Sequence, residues 1–306
     1  MTQQPTIALL IPTFNASKNW MSVLKSINEQ TYQNIKKIII DSGSTDNTVD
    51  LAKQFGFEII TVPKSEFNHG ATRQLLVDIS EDTDICVFLT QDAILASPDS
   101  IGNIIKVFDD QQVGIAYGRQ LPHKNAKSLE THARLFNYPD NSEVLSMDDL
   151  DKKGFKIFFC SNSFSAYRRS ALLAVGGFPT DSIMGEDAIV AAKMLVTGYK
   201  KAYVADAMVH HSHSYTLGEE FRRYFDTRVF HEQNKWLIND FGKPTGEGLK
   251  FIKSELNYVI KHDKTSFFKS ISSVFAKWLG YNSGRFFRKM PKSLVKKLSM
   301  HSFYWK

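Results

Sequence analysis

Three side chains that suit a divalent cation occur in two distant parts of the sequence. Asp92 follows the apolar run at 84–89, and His211 and His213 lie in the histidine cluster at 210–213. A carboxylate can hold Mg²⁺ or Mn²⁺ against a pyrophosphate, and an imidazole suits Mn²⁺ especially. A lone histidine is usually structural, but a cluster at a strand end favours ligation. We therefore predict a Mg²⁺ or Mn²⁺ site with Asp92 and one ligand from His211 and His213.

Two adjacent acids, Glu186 and Asp187, open a predicted helix at about 186–197. A sugar hydroxyl that attacks an anomeric carbon must lose its proton, and a carboxylate in hydrogen-bond reach can take it. We therefore assign Asp187 as a general base and Glu186 as a residue that orients the loop or the acceptor. The alternative is that these acids only complement the dipole of the helix.

Polar residues also follow the first two predicted strands. Thr13 and Asn15 come after the first strand, and Asp41 ends the second, where a carboxylate can accept from a base or a ribose. Asp46 lies just before a helix, and we interpret it as a helix cap. A glycine-rich dinucleotide loop and a Gly-Lys-Ser/Thr phosphate loop do not follow the first strand, which disfavours dehydrogenases and P-loop enzymes.

The elements that position these residues alternate between apolar strands and amphipathic helices. Such continuously apolar strands predict a parallel sheet that is covered by helices on both faces. Ligands bind beyond the carboxyl ends of the strands in these sheets, so the polar loops after the first, second and fourth strands should converge. The four strands are predicted at 6–12, 35–41, 57–62 and 84–89.

The second half of the sequence is less regular. We expect loops around a helix near 127–137 within the segment 119–155, strands at 156–159 and 163–168, and a strand near 201–205. This organisation predicts a catalytic domain at 1–215, with a nucleotide-sugar half at about 1–118 and an acceptor half at about 119–215. Residues 216–306 are predicted to form a basic helical C-terminal region.

The composition supports a globular protein in a reducing compartment. The chain has 306 residues, 42% of them hydrophobic and 23% charged, which is ordinary for a folded domain. Two cysteines cannot form a disulfide framework. The first ten residues lack the basic and apolar segments of a secretory signal, so we expect a cytoplasmic protein.

The charge is concentrated at the C-terminal end. Residues 250–306 hold 13 Lys and Arg against two acids, interleaved with phenylalanine and tryptophan. This pattern predicts either peripheral contact with anionic lipid headgroups or an ordinary helical appendage with solvated lysines, and packing into a homodimer is a further alternative. We expect no nucleic-acid partner.

The ordered combination of these motifs over residues 6–215 resembles glycosyltransferase family 2. The resemblance implies a GT-A fold, which is a Rossmann-like α/β fold with a mostly parallel sheet, a nucleoside-diphosphate sugar donor and inversion at the anomeric carbon. Thr90 stands where the family's Asp-x-Asp motif has its first acid, so the metal must rely on Asp92, the pyrophosphate, water and a histidine. The segments that carry the resemblance lie at 12–15, 41–48, 92, 176–178 and 186–187. By position, the resemblance places Thr13, Asn15 and Asp41 in nucleotide-binding segments, Asp92 at the second acid of the metal motif and Asp187 at the base.

Segments at 66–73 and 90–93, together with the histidine cluster, further resemble bacterial rhamnosyltransferases of this family. That resemblance implies dTDP-L-rhamnose as donor, with Arg73 on the diphosphate or the base, His69 near the sugar and Gln91 in the donor site. It also implies a glycan or lipid-linked glycan acceptor at the inner face of the cell membrane.

Three alternatives compete with this interpretation. A non-catalytic sugar-nucleotide or glycan-binding module could keep the same fold, a family 2 transferase could use a UDP-sugar, and a nucleotidyltransferase shares the Rossmann-like architecture. The first loop, Thr13-Phe14-Asn15, argues against the nucleotidyltransferase because it is neither glycine-rich nor basic.

Overall fold

The computed structural model describes residues 4–306, and one nine-stranded sheet forms the centre of this part of the chain. Its strands are β1 Ile7–Thr13, β2 Ile35–Asp41, β3 Glu58–Thr61, β4 Ile85–Leu89, β5 Ile94–Leu95, β6 Val113–Leu121, β7 Glu143–Leu145, β8 Phe164–Arg168 and β9 Lys200–His210. They lie in the order β3-β2-β1-β4-β8-β6-β9-β5, and β7 pairs with β9.

Helices cover both faces of this sheet. The helices before residue 215 are α1 Ser17–Asn28, α2 Thr48–Gln54, α3 His69–Asp78, α4 Ser100–Lys106, α5 Ser128–Asn137, α6 Leu150–Lys153, α7 Arg169–Ala174 and α8 Glu186–Val196. Trp20 and Ile104 are buried in the hydrophobic cluster on one face, and Leu76 and Val190 are buried in the cluster on the other. The predicted α/β fold with two covered faces is confirmed.

The direction of the strands differs along the sheet. The first four strands are parallel, as the alternating pattern predicts, whereas β8 runs antiparallel to both β4 and β6. The sheet is therefore mixed, with four parallel and four antiparallel pairs. Apolar content indicates that a strand is buried but not which way it runs. Three of the parallel pairs join the first four strands, and the fourth joins β6 to β9.

In the second half, one predicted strand is wrong and another is shorter than the observed strand. The segment 156–159, predicted as a strand, lies largely in a 3₁₀ helix at Gly154–Phe158, where Ile157 and Phe158 are buried. The predicted strand near 201–205 extends to His210, and its register with β6 shifts between Gly118 and Arg119. The sequence signalled burial in both places, but only packing decided the backbone conformation.

The C-terminal helices continue the core of the catalytic part. They are α9 Leu217–Gln233, α10 Lys235–Phe241, α11 Glu247–His262, α12 Phe267–Gly284 and α13 Lys292–Leu298. Phe225 and Val229 of α9 are fully buried in the same cluster as Val190 of α8. Within residues 4–306, every helix is too short or too polar to cross a bilayer.

Helix α12 crosses α9 at glycine residues. A Cβ atom added to Gly280 would lie 2.1 Å from the backbone oxygen of Phe221, and one added to Gly284 would lie 2.6 Å from that of Phe225. Separations this small are below van der Waals contact, so the two helices can approach this closely only because these positions lack a side chain.

We therefore expect Gly280→Ala to lower the free energy of unfolding by about 1–3 kcal/mol, because the backbone of α9 must move to admit the methyl group. Urea denaturation followed by circular dichroism measures this change. The matched control is Gly102→Ala in α4, where an added Cβ meets no atom within 4 Å, and this substitution should be neutral or stabilising. Equal unfolding midpoints for the wild type and Gly280→Ala would contradict the close crossing.

Candidate functional site

Asp41 at the end of β2 organises the loop that follows it. One carboxylate oxygen accepts hydrogen bonds from the hydroxyls of Thr13 (3.1 Å) and Ser44, and the other accepts from the backbone N–H groups of Gly43 (3.0 Å) and Ser44 (2.8 Å). Thr13 and Asp41 are both buried. Four donors match the number that a carboxylate accepts, so both residues shape the loop, and a direct ligand contact of Asp41 stays a prediction.

The loops after β1, β2 and β4 are tied to one another. Asn15, in a left-handed conformation at φ 47°, donates its backbone N–H to the Ser44 hydroxyl at 2.8 Å and accepts from the backbone of Thr45 at 2.9 Å. Gln91 binds both backbone groups of Phe14, at 2.7 and 3.1 Å. The predicted convergence of these three loops is confirmed, and the contacts found for Asn15 and Gln91 are loop contacts.

The three predicted metal ligands lie together. An oxygen of the Asp92 carboxylate lies 3.5 Å from Nε2 of His211, and the other lies 3.7 Å from Nε2 of His213. The pairing of β5 with the end of β9 creates this proximity, because it places Ile94 beside His210. One ligand atom from each residue falls within 4.8 Å of the others, which is the spacing of groups that share a cation.

The ionisation of this group also suits a cation. Burial alone would raise the pKa of Asp92, but the neighbouring imidazoles of His211 and His213, when they carry a proton, hold it well below its usual range. Burial lowers the pKa of His213 to about 4. At neutral pH the site therefore presents a carboxylate and an uncharged imidazole.

A buried glutamine sets the tautomer of His211. The side-chain oxygen of Gln120 accepts a hydrogen bond from Arg134 at 2.7 Å and lies 3.0 Å from Nδ1 of His211. Arginine can only donate, so the Gln120 atom must be oxygen, and Nδ1 of His211 must carry the hydrogen. With the hydrogen on Nδ1, the Nε2 atom that faces Asp92 can carry either a proton or a lone pair, and a cation bound to Asp92 would take the place of that proton. Gln120 and Arg134 lie within 119–155, where the sequence predicted loops around a helix near 127–137 but neither residue as part of the site.

Asp187 lies at the start of α8 and on the wall of a cavity. Gly185, at φ 71°, turns the chain into the helix, and the Asp187 carboxylate accepts backbone N–H groups of Asn162 (3.0 Å) and Ala188 (2.8 Å). Burial raises the pKa of Asp187 to about 7, and the negative charge of Glu186 adds to the effect. A carboxylate with this pKa can both release and accept a proton near neutrality.

Arg73 and Glu186 form a buried ion pair that joins α3 to α8. The guanidinium lies 2.9 Å from the carboxylate, and both side chains are at most 8% exposed. Burial opposes ionisation of Glu186, but Arg73 holds the pKa of this carboxyl below its usual range. Arg73 also donates to the backbone oxygen of His69 at 3.1 Å. The charge of Arg73 is matched inside the protein by this pair, and its contact with a donor diphosphate or base stays a prediction.

His69 packs under the C-terminal end of the chain. Its ring centre lies 5.1 Å from Phe67, 5.2 Å from His301 and 5.9 Å from Phe303. Burial lowers the pKa of His69 to about 4, so the ring is neutral at pH 7. Asp226 of α9 anchors this end of the chain by accepting the backbone N–H groups of Met300 and His301, both at 2.9 Å. The sequence pattern held no signal for this long-range contact, and the contacts of His69 do not include the metal group.

One cavity of about 680 Å³ connects the base to the metal group. Glu186 and Asp187 line it together with His211 and His213, and α5, α9, α11 and α12 supply much of the remaining wall. A volume of this size holds a sugar with part of its carrier. The arrangement therefore brings the predicted base and two of the predicted metal ligands to the wall of a single cavity.

Comparison with known proteins agrees with this geometry. Residues 8–176 match the sequence profile of Glycosyl transferase family 2. The chain is 47% identical over 300 residues to the O-antigen chain rhamnosyltransferase RfbN of Salmonella typhimurium, and 44% identical over 302 residues to the O-antigen chain rhamnosyltransferase WbaN of Salmonella anatum. Each alignment covers 98% of this chain and 96% of the relative.

Solved structures share the fold at low sequence identity. The mannosyltransferase PcManGT from Pyrobaculum calidifontis, in complex with GDP-Man and Mn²⁺, superposes with a TM-score of 0.61 at 15% identity, covering 99% of this chain and 86% of that one. S. aureus TarS 1-349 in complex with UDP-GlcNAc gives a TM-score of 0.56 at 15% identity, covering 96% and 84%. The predicted GT-A fold is confirmed, and the chain belongs to glycosyltransferase family 2.

Proposed function

We propose that this glycosyltransferase moves L-rhamnose from dTDP-L-rhamnose to a hydroxyl of an O-antigen precursor, with inversion at the anomeric carbon. The reaction rests on one observation: Asp187 and the group of Asp92, His211 and His213 line or border the same cavity. The choice of rhamnose and of an O-antigen acceptor is supported by the two near-full-length relatives that carry this activity in their names.

Asp187 acts as the general base in this proposal. Its carboxylate takes the proton of the acceptor hydroxyl while the oxygen forms a bond to the anomeric carbon and the bond from that carbon to dTDP breaks. A single displacement inverts the configuration and needs no covalent enzyme intermediate. The two backbone N–H groups that bind Asp187 hold its carboxylate at the cavity wall.

Asp92, His211 and His213 would hold Mg²⁺ or Mn²⁺. The cation supplies charge neutralisation for the diphosphate of the departing nucleotide. A carboxylate and two imidazoles are ligands that Mn²⁺ accepts readily. Thr90 has no carboxylate to add to this set, so the diphosphate and water would supply the remaining ligands of the cation.

Glu186 and Arg73 act as positioning residues. Glu186 also accepts from the side chain of Asn162 at 3.2 Å, and the backbone N–H of the same asparagine binds Asp187. The ion pair therefore fixes the segment that carries the base, and the charge of Glu186 contributes to the raised pKa of Asp187.

We further propose that the enzyme works on the cytoplasmic face of the cell membrane as a peripheral protein. The support is the basic C-terminal region with its exposed aromatic residues, including Phe268 and Trp278. A lipid-linked acceptor would be presented at that surface. Homodimerisation through the same region is the competing possibility.

Asp187→Asn should lower the rate of transfer by about 100-fold or more, because the amide cannot take a proton, while donor binding stays nearly unchanged. Radiolabelled transfer and donor calorimetry separate the two effects. The matched control is Asp181→Asn, which changes an exposed acid in the preceding loop and should keep wild-type activity. An active Asp187→Asn enzyme would overturn the assignment.

The rate of transfer by the wild type should rise with pH through about 7. A carboxyl whose pKa is raised to about 7 is mostly protonated below that pH and is an available base only above it. The pH dependence of kcat at saturating substrate measures this ionisation. A rate that stays flat between pH 5.5 and pH 8.5, a range of roughly three units around neutrality, would contradict it.

Gln120→Leu should weaken Mn²⁺ binding by about 10- to 100-fold, because His211 loses the acceptor that fixes its tautomer. Electron paramagnetic resonance of free Mn²⁺ measures the affinity without any need for turnover. Gln112→Leu, at an exposed position just before the same strand, is the control and should bind normally. Equal Mn²⁺ affinities for both variants would show that Gln120 does not support a metal ligand.

Calorimetric titration with dTDP-L-rhamnose, dTDP-glucose and UDP-glucose tests the donor, first with Mn²⁺ and then with a chelator. The proposal requires preference for dTDP-L-rhamnose and loss of affinity with the chelator. Preference for the UDP-sugar would keep the transferase and discard rhamnose. Absence of binding to all three would favour a non-catalytic binding module. The observation that motivates this alternative is Thr90, which stands where the family's metal motif has its first acid.

A further inference from the structure

Helix α12 has its small residues inside and its large apolar residues outside. Ser273, Gly280 and Gly284 are buried, and the two glycines face the backbone of α9 at the close crossing. The opposite side carries Phe268, Ile271, Phe275, Trp278 and Leu279, which we call the docking face. A helix that only stabilised the fold would bury these larger side chains, because they contribute most to a hydrophobic core.

The docking face is continuous and strongly exposed. Phe268 is 79% exposed, Phe275 is 61% exposed and Trp278 is 59% exposed. The rings of Phe275 and Trp278 stack on the surface with centres 6.0 Å apart. Spacings of three and four residues place all five side chains on one side of the helix. A row of exposed aromatic and aliphatic groups marks an interaction surface rather than chance exposure.

The chain segment that carries the docking face has charged residues of one sign. Residues 264–306 contain ten Lys and Arg and no Asp or Glu. Lys264, Lys269, Arg285, Arg288 and Lys289 are exposed at or near the two ends of α12. Apolar side chains bordered by cations match the boundary between acyl chains and anionic headgroups.

We propose that the docking face binds an anionic bilayer, with α12 lying along the surface and its aromatic side chains inserted among the lipids. The charge decides between this occupant and a second copy of the chain. A two-fold symmetric dimer would place the basic region against the same region of its partner, and residues 264–306 offer no acid to compensate the repulsion. Anionic lipids supply that compensation.

The inner side of α12 extends the proposal to the acceptor. Lys269, Ser273 and Lys277, spaced four residues apart, line the cavity that also contains Asp187. Docking of the outer side therefore brings the cavity wall next to the headgroup region. A sugar carried on a lipid in the same bilayer would then reach the base, and this last step rests on the proposed function.

Vesicle binding by the full chain tests the docking face. The wild type is mixed at low ionic strength with vesicles of phosphatidylglycerol and phosphatidylcholine, or of phosphatidylcholine alone, and bound protein is separated by flotation. We expect binding to the anionic vesicles and a blue shift of tryptophan emission that Trp278→Phe removes. Failure of the wild type to bind anionic vesicles overturns the proposal.

Two variants resolve the apolar and charged contributions. The triple variant Phe268→Ser/Phe275→Ser/Trp278→Ser should lose at least about tenfold in vesicle partitioning. Arg285→Gln/Arg288→Gln/Lys289→Gln should lose on the order of a hundredfold at low salt. The matched control, Val144→Ser/Leu173→Ser/Val196→Ser, changes three side chains that are 40–52% exposed elsewhere on the surface and should bind like the wild type.

Donor calorimetry and sedimentation complete the test. The triple variant should bind the donor as the wild type does, which shows that it is folded and separates docking from the proposed reaction. If the triple variant binds vesicles as well as the wild type does, the docking face is overturned. If the wild type is a dimer and the triple variant is a monomer, and neither protein binds vesicles, the proposal is also overturned and the face is assigned to a second copy of the chain. If the wild type binds vesicles but does not bind the donor, only the proposed function is contradicted.

Discussion

The buried ion pair between Arg73 and Glu186 constrains the rest of the site. Both charges are largely shielded from water, so each stabilises the other, and removal of one partner of such a pair costs roughly 3–5 kcal/mol. The pair fixes the start of α8 against α3, and Asp187 is the next residue along. Arg73 stabilises the negative charge of Glu186, while burial, together with that charge, raises the pKa of the adjacent Asp187 to about 7. The same constraint thus fixes the position of the proposed base and contributes to its pKa.

Distant parts of the chain assemble around this pair. Asn162, just before β8, donates to Glu186 through its side chain and to Asp187 through its backbone. The last residues of the chain return to the same place, where His301 packs on His69 and the Tyr304 hydroxyl donates to the backbone oxygen of Asp181 at 3.0 Å. The hydrogen bonds that Asp226 accepts from this returning segment offset part of the free-energy cost of burying its carboxylate. The C-terminal region is therefore part of the structure that holds the base.

The cation-binding group depends on a second set of long-range contacts. Pairing of β5 with β9 brings Asp92 to the histidines, and the shifted register between β6 and β9 allows β9 to continue as far as His210. Gln120 on β6 then fixes the orientation of His211. Three strands from different parts of the sequence thus define one group of ligands. The relative positions of these ligands therefore cannot be read from any single sequence motif.

The sequence by itself determined the elements whose signal is local. The four strands of the first hundred residues, the helices that begin near His69, Ser128 and Glu186, and the convergence of the polar loops follow from apolar periodicity and from the direction of β-α units. The identities of the chemical groups also follow, because Asp187, Asp92 and the two histidines stand at strand and helix ends.

The tertiary structure alone decided which of these groups have partners inside the protein. The family resemblance implied a donor contact for Arg73, whereas in the structure its buried side chain pairs with Glu186, and Asp41 is surrounded by hydrogen-bond donors of its own loop. The direction of β8, the role of Gln120 and the packing of His301 on His69 depend on contacts between residues far apart in the chain. Periodicity carries no information about such contacts, because their energies arise only when the sheet, the helices and the C-terminal segment close around one another.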